Sequence, residues 1–288
     1  MLITVFTPSY NRAFFLRNIF ESLTRQTFHD FEWIVVDDGS TDSTKEVMKK
    51  IVAEPHTFPI KYIYKANGGK HTAINIGARE ADGELFFILD SDDRLPIDSL
   101  ETVAKYFSQI QNNPNFGGVS GIDGFTNGDV LGSGLPSPII DASTIDIRYK
   151  YKVKGDMAEV FRTEVMREFP FPEISGEKFC PEALVWNRIA KKYKLRFFNK
   201  IIYLADYQND GLTANIVKMR MESPVGSMMT YSEMLGLDIP LLQKIKASIN
   251  FWRFSFCSDQ VDIRTIPIKW LWTYPLGLLM HLQYAEKL

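Results

Sequence analysis

Leu85-Phe86-Phe87-Ile88-Leu89 runs straight into Asp90-Ser91-Asp92-Asp93. Five consecutive apolar residues without helical spacing read as a strand buried on both faces. The carboxylates that follow cannot continue into a core, because ionised groups there lose their hydration. The stretch therefore predicts a strand of a covered parallel sheet whose carboxyl end opens into a polar site. Ligands of open parallel sheets bind beyond the carboxyl ends of the strands.

Working outward, the same alternation repeats. Leu2–Phe6 is a buried-strand run, and residues 13–26 follow with Phe15, Ile19, Phe20 and Leu23 at helical spacing. Residues 31–36 form a second strand ending in Asp37-Asp38-Gly39. Ser43 and Glu46 have capping-box spacing for a helix through about Ala53. Residues 60–64 read as a third strand and residues 72–80 as a short helix. Beyond the opening stretch, a helix over 97–111 and a strand near 117–122 complete the series. This predicts an α/β fold, a mostly parallel central sheet flanked by helices. Residues 121–138, rich in Gly, Ser, Asn and Pro, read as one long loop. Residues 157–207 read as one strand, two helices and two further strands, and the chain from about Ile216 as helical.

Composition narrows the class. Of 288 residues, 45% are hydrophobic and 24% charged, as in a globular chain. With 33 basic against 35 acidic residues, net charge −2, no electrostatic footprint for nucleic acid exists. Cys180 and Cys257 stand far apart and the four His are scattered, which argues against a disulfide scaffold, a Cys-based zinc site or a multi-His centre. The start of the chain does not read as a signal peptide. Residues 266–282 are apolar but are interrupted by Pro267, Lys269, Pro275 and His281, short of a bilayer span. A cytoplasmic protein, peripheral at most on the inner face of a membrane, is expected.

Three polar clusters fall at strand ends and hence on one sheet edge: residues 7–12, 37–40 and 90–93. Gathered carboxylates repel one another unless a cation neutralises them. Oxygen-only donors select Mg²⁺ or Mn²⁺, which can bridge a diphosphate and offset the charge of its departure. The plain alternative is that Asp92 and Asp93 cap the next helix. No G-x-G-x-x-G follows the first strand, which disfavours a dehydrogenase. Nor is there a glycine-rich basic loop there for the triphosphate of a sugar nucleotidyltransferase.

The segments TPSYNR (7–12), VDDGSTD (36–42), NGGKHTAINIG (67–77) and LDSDD (89–93), in this order and spacing, resemble the family 2 glycosyltransferases of GT-A fold over residues 1–125. The resemblance implies a metal-dependent, inverting transfer from a nucleotide-diphosphate sugar, with uridine the default base. The acceptor would be a glycan or lipid-linked hydroxyl of surface-polysaccharide synthesis. A non-catalytic sugar-nucleotide or glycan-binding module is the other reading. Thr7, Pro8 and Tyr10 would line the base pocket, with Arg12 nearby. Asp38 would take a base N–H, with Asp37 beside it. Asp90 and Ser91 would face the ribose and metal, Asp92 would be the main metal ligand, and Asp93 would support it. Gly69 and Lys70 open a helix whose N-terminus favours anions, and Lys70 would offset diphosphate charge. Asn75, Ala73 and Gly77 match the family pattern, the latter two as packing residues. A downstream His ligand of some members has only His281 as counterpart, in the tail.

The catalytic base is expected in the second half, where the acceptor binds. Glu182, behind Pro181 at the start of a predicted helix to about Lys192, sits at the end of the helix dipole that favours a carboxylate. Its alternative role is a first-turn acid, and Glu177 is the second candidate base. This stretch departs from the commonest Glu-Asp form of the family. Trp186, one turn on, is a candidate acceptor platform or a core residue, and Asp156 a candidate acceptor contact or turn residue. Residues 207–213 resemble a loop that closes over the donor. The expected organisation is a catalytic domain over 1–215 (donor half 1–125, acceptor half 126–215) and a helical extension over 216–288. The aromatic-rich helices there would pack on a core, pair with a second subunit, or lie on a membrane.

Overall fold

A computed structural model describes residues 1–205, 212–258 and 266–285. The predicted loop over 207–213 lies outside the described residues, apart from the backbone of 212 and 213. Two compact units are present: residues 1–170 with 189 through the end of the last strand, and residues 171–188 with the described chain beyond 211. This division differs from a cut at 215.

The first unit is built on an eight-stranded sheet. β1 (Ile3–Ser9), β2 (Phe31–Asp37), β3 (Ile60–Tyr64), β4 (Leu85–Ile88), β5 (Phe116–Phe125), β6 (Ile139–Ala142), β7 (Met157–Arg162) and β8 (Lys194–Ala205) lie in the order β3-β2-β1-β4-β7-β5-β8-β6. β1 to β4 run parallel, as does β5 with β8; β7 is antiparallel to both β4 and β5. The carboxyl ends of β1, β2, β3, β4, β5 and β8 therefore share one edge with the start of β7. α1 (Ala13–Thr24), α2 (Thr44–Ala53) and α4 (Ser99–Ser108) bury their apolar stripes on the face that carries Val5, Trp33, Val35 and Phe87. α3 (Lys70–Glu80) covers the opposite face against β1 and β2. Phe6 and Phe86 stack there at 5.0 Å, and a Cβ on Gly77 would meet the Phe6 ring at 2.2 Å. Glycine is thus required for that approach.

Several expectations need correcting. Residues 121–125 are the end of β5, not loop, and the chain after them returns as a hairpin, with Leu131 N–H donating to Asp123 O at 2.8 Å. β6 and the short α5 (Thr144–Tyr149) follow, unforeseen in sequence. After β7 come α6 (Thr163–Glu168) and α7 (Glu182–Ala190), but then a single long strand, β8, in place of two. Ser43 makes no side-chain cap on α2; Asp42 accepts the Thr44 N–H instead, at 3.0 Å.

The second unit holds the start of α7 with α8 (Leu212–Glu222), α9 (Pro224–Met234), α10 (Leu241–Ser255), a 3₁₀ turn (Ile268–Thr273) and α11 (Tyr274–Ala285). Its core gathers Met228, Leu235, Phe251, Trp252, Phe254, Ile266 and Trp270. A Cβ on Gly277 would meet Trp252 at 2.3 Å, so α11 lies close on α10 by its glycine face.

Candidate active site

The loops leaving β1, β2 and β3 are joined to one another before any ligand arrives. Asn11, in the left-handed region at φ +53, donates its N–H to Ser40 Oγ (2.8 Å) and accepts the Thr41 N–H (2.8 Å) on its side chain. Asn tolerates that backbone better than most residues. Asp38 accepts from Lys65 Nζ, Gly68 N–H (2.9 Å), Gly69 N–H (2.7 Å) and Asn67 Nδ2 (3.2 Å). These four donors match the roughly four lone-pair positions of a carboxylate. Gly39, at φ +81, lets Asn67 approach; a Cβ would stand 2.7 Å from Asn67 N. Asp37 accepts from Ser40 N–H (2.8 Å) and from the Tyr62 hydroxyl (2.6 Å). Burial and that carboxylate raise the Tyr62 phenol well above its ordinary value, so it stays a donor. Of the two acids, Asp37 keeps the freer lone pairs.

The acidic loop after β4 is pinned from β8, far away in sequence. The buried Tyr203 hydroxyl accepts the Asp90 N–H (3.0 Å) and donates to Asp93 Oδ2 (2.6 Å). Arg94 and Leu204 exchange both backbone hydrogen bonds. Lys70 Nζ lies 2.7 and 2.8 Å from the two Asp90 oxygens. Asp92 differs from these neighbours. Apart from its own backbone N–H, no donor among the described residues reaches it, and its carboxyl is raised by burial and by the charge of Asp90, against lesser opposing effects of Arg12 and Lys70.

A half-buried carboxylate in that state is a natural partner for a cation. Among the described residues, though, no three His, Cys, Asp or Glu side chains gather to hold an ion unaided. The donor set fits a hard divalent ion only if phosphate oxygens and water supply the remaining ligands, as Mg²⁺ readily accepts.

Placement of the other candidates is mixed. Thr7 is buried, accepting Trp33 Nε1–H at 3.0 Å, and Pro8 is buried beside it; Tyr10 is 50% exposed and open to a ligand. Arg12 lies 5.8 Å from the centre of the Phe15 ring. Ser91 and Asn75 are buried, and Gly69 (φ +96) caps α3. Glu182 and Glu177 belong to the second unit. Glu182 is half-buried in the first turn of α7. Glu177 accepts the Val225 and Gly226 N–H groups (2.6 and 2.9 Å), which caps α9. Ser223, at the N-cap of α9, instead accepts the Phe179 N–H at 3.1 Å. Trp186 packs edge-to-face on Phe171 at 5.8 Å. Sequence reasoning missed Lys65, Tyr62, Tyr203 and Asp123. Only Asp123, an acid near a strand's carboxyl end, carried a readable signal.

Comparison with known proteins agrees with this architecture. The sequence model described as Glycosyl transferase family 2 matches residues 4–166. Glycosyltransferase GlyA of Streptococcus pneumoniae serotype 4 is 37% identical over 109 residues, 38% of this chain and 15% of that protein; the chain thus spans about a seventh of that relative. Staphylococcus aureus TarS 1–349 in complex with UDP superposes with TM-score 0.66 at 17% identity, over 100% of this chain and 92% of that one. Mannosyltransferase PcManGT from Pyrobaculum calidifontis, in complex with GDP-Man and Mn²⁺, does so with TM-score 0.58 at 17% identity, over 99% and 75%. At such identities these likenesses establish the shared GT-A-type fold.

Proposed function

The chain belongs to glycosyl transferase family 2, and from that premise we propose that it moves a sugar from a nucleotide-diphosphate donor to a hydroxyl of a glycan or lipid-linked acceptor. The observation that carries the reading is the joining of strand-exit loops at one edge: Asn11 to residues 40–41, Asp38 to residues 65–69, Lys70 to Asp90. In this proposal the loops that leave β1, β2, β3 and β4, within residues 1–125, bind the donor. Tyr10 faces the base, Asp38 with the buried Asp37 beside it shapes the pocket floor through the 65–69 loop, and Lys70 with the start of α3 meets the diphosphate. Asp92, with Asp90 and Asp93 behind it, would hold Mn²⁺ or Mg²⁺, which supplies charge neutralisation to a leaving diphosphate. Glu182 would take the acceptor proton. UDP is the preferred nucleotide, supported by the UDP complex of TarS; the GDP-Man complex of PcManGT keeps guanosine in the test. Residues 126–215 would serve the acceptor and 216–288 extend the catalytic domain, in surface-polysaccharide synthesis.

Thermal shift tests this directly. UDP-GlcNAc, UDP-glucose, UDP-galactose and GDP-mannose are each added with Mn²⁺ or with EDTA. At least one nucleotide sugar is expected to raise Tm by several degrees in Mn²⁺ and clearly less in EDTA. A shift with UTP and a sugar phosphate but with none of the four donors would favour a nucleotidyltransferase instead.

The second unit supports peripheral membrane contact. Its core leaves Ile268 84%, Leu279 59% and Trp272 57% exposed, with Leu271, Tyr274, Leu276 and Leu282 also exposed, and Lys269 is the one charge among the described residues 268–282. Aromatic and aliphatic side chains beside a lysine suit a lipid headgroup boundary. No described helix is long and apolar enough to span one. The protein is expected to float with vesicles of 30% phosphatidylglycerol in phosphatidylcholine, and the double substitution Ile268→Asp/Trp272→Asp to remain behind. Equal flotation of both forms, or a dimer in solution that the substitutions dissociate, would remove the membrane role.

A further inference from the structure

One acid at the ligand edge of the sheet is left over. Asp123 lies near the carboxyl end of β5, in register with Tyr203 on β8, the residue that pins the Asp90–Asp93 loop. It is 6% exposed, and its Oδ1 is buried with no hydrogen-bond partner. Asp37, Asp38, Asp90 and Asp93 on the same edge all have protein donors. Arg148 is the opposing charge that acts on Asp123, yet its Nη1 donates to the carbonyls of Val153 and Gly155. An unpartnered buried polar atom costs on the order of 1–3 kcal/mol, and nothing in the packing of β5 demands a carboxyl there.

The hairpin after β5 ties back through Leu131 N–H to Asp123 O. Ser133 then exchanges hydrogen bonds with Lys154, both at 3.0 Å. Gly132 and Gly155 pass back to back: a Cβ on the first would stand 2.1 Å from Lys154 O, and on the second 2.4 Å from Leu131 O. The turn so fixed delivers Asp156 and the start of β7, with Glu159, towards Asp123, while Asp93 acts on it from the β4 loop.

We propose that Asp123 is an acceptor-binding residue whose carboxyl holds a hydroxyl of an uncharged acceptor sugar. The inference rests on the sugar-transfer reading above. Asp93, Asp156 and Glu159 would repel a phosphate at this position. Burial, then Glu159, Asp156 and Asp93, push the Asp123 carboxyl up to about 8, so at neutral pH it offers one O–H and free lone pairs. A sugar hydroxyl, which both gives and takes a hydrogen bond, matches that pair of functions better than an ammonium group does.

The test is saturation-transfer NMR on the full chain held with UDP and Mn²⁺. The probes are methyl glucoside, methyl 2-amino-2-deoxyglucoside and glucose 6-phosphate. The wild type is expected to bind the neutral glycoside best. Asp123→Leu should weaken it about tenfold with UDP affinity unchanged. Asp123→Asn, which keeps one donor and one acceptor, should stay within about threefold. Folding is checked in EDTA. Because the folded carboxyl lies far above the ordinary 3.8, the Asp123 contribution to wild-type stability falls as pH rises from about 4 to about 8, by at most about 1.4 kcal/mol per unit. The melting advantage of Asp123→Asn should therefore grow between pH 5 and pH 8. Unchanged glycoside binding by Asp123→Leu, loss of binding by Asp123→Asn, or preference of the wild type for the amine or the phosphate each overturns the proposal. Failure to bind UDP would instead count against the donor reading; the glycoside comparison is then made without UDP.

Discussion

Asp92→Asn is expected to reduce sugar transfer roughly 10²–10³-fold, the usual effect of removing one group that stabilises developing charge, without lowering Tm. The expectation rests on how the acids of this edge are occupied. Lys70 neutralises Asp90, Tyr203 holds Asp93, and the 65–69 loop saturates Asp38. Asp92 is left half-buried beside Asp90 with its carboxyl raised by burial and by that neighbour. Removing such a charge relieves repulsion, so the folded state loses nothing. What disappears is a negative site poised for a cation. Transfer titrated with Mn²⁺, together with Mn²⁺ binding followed by EPR, separates the two consequences: the variant should bind the ion weakly and respond little to it. The pH dependence has a definite sign. A raised carboxyl takes its proton at a higher pH than an ordinary Asp, so transfer at limiting Mn²⁺ falls on acidification before the usual 3.8 is approached. More Mn²⁺ competes with the proton and moves that loss to lower pH. Full Mn²⁺-dependent transfer by Asp92→Asn would displace the cation from this loop.

Residues 1–93 were legible in sequence because strand direction and chemistry coincide there. A buried apolar run that ends in carboxylates fixes both the strand and the edge where its acids emerge, and the runs before Asp37 and before Asp90 both have that form. Residues 116–205 were less legible, for two physical reasons. β7 and β6 enter antiparallel, so the βαβ rule does not order them. The glycines at the end of β5 also disguise residues 121–125 as loop. Gly121 and Gly124 are there because Cβ atoms would collide with Ile202 at 2.5 Å and with Ile201 at 2.8 Å; they mark close strand packing, not a turn. Asp123 was lost inside that misread stretch. Asn199 and Lys200 likewise interrupt the apolar pattern of β8 without breaking the strand. Contacts such as Tyr203 to Asp93 and Lys65 to Asp38 join distant segments, and no local periodicity announces them.

Glu182→Gln is expected to keep donor affinity within about twofold and to lower transfer some 10²–10⁴-fold, the range for a lost general base. A direct displacement needs one carboxylate to accept the acceptor proton as the new bond forms, and an amide of the same shape cannot do so. Glu177 provides the control, because the structure gives it another task. Its two oxygens accept the N–H groups of Val225 and Gly226, which the side chain of Ser223 leaves open by turning to Phe179. Glu177→Gln keeps at most one of those acceptors and loses the charge at the positive end of α9. It should therefore lower stability by about 1–2 kcal/mol, while transfer per folded molecule persists. Single-turnover rates with the best donor, read beside melting curves, distinguish the two outcomes. If Glu182→Gln transfers at the wild-type rate and Glu177→Gln is inactive yet folded, the base is Glu177 and capping α9 is how the fold orients it. The first-turn position of Glu182 would then be helix stabilisation alone, since an acid there is favourable in any helix whether or not a substrate is near.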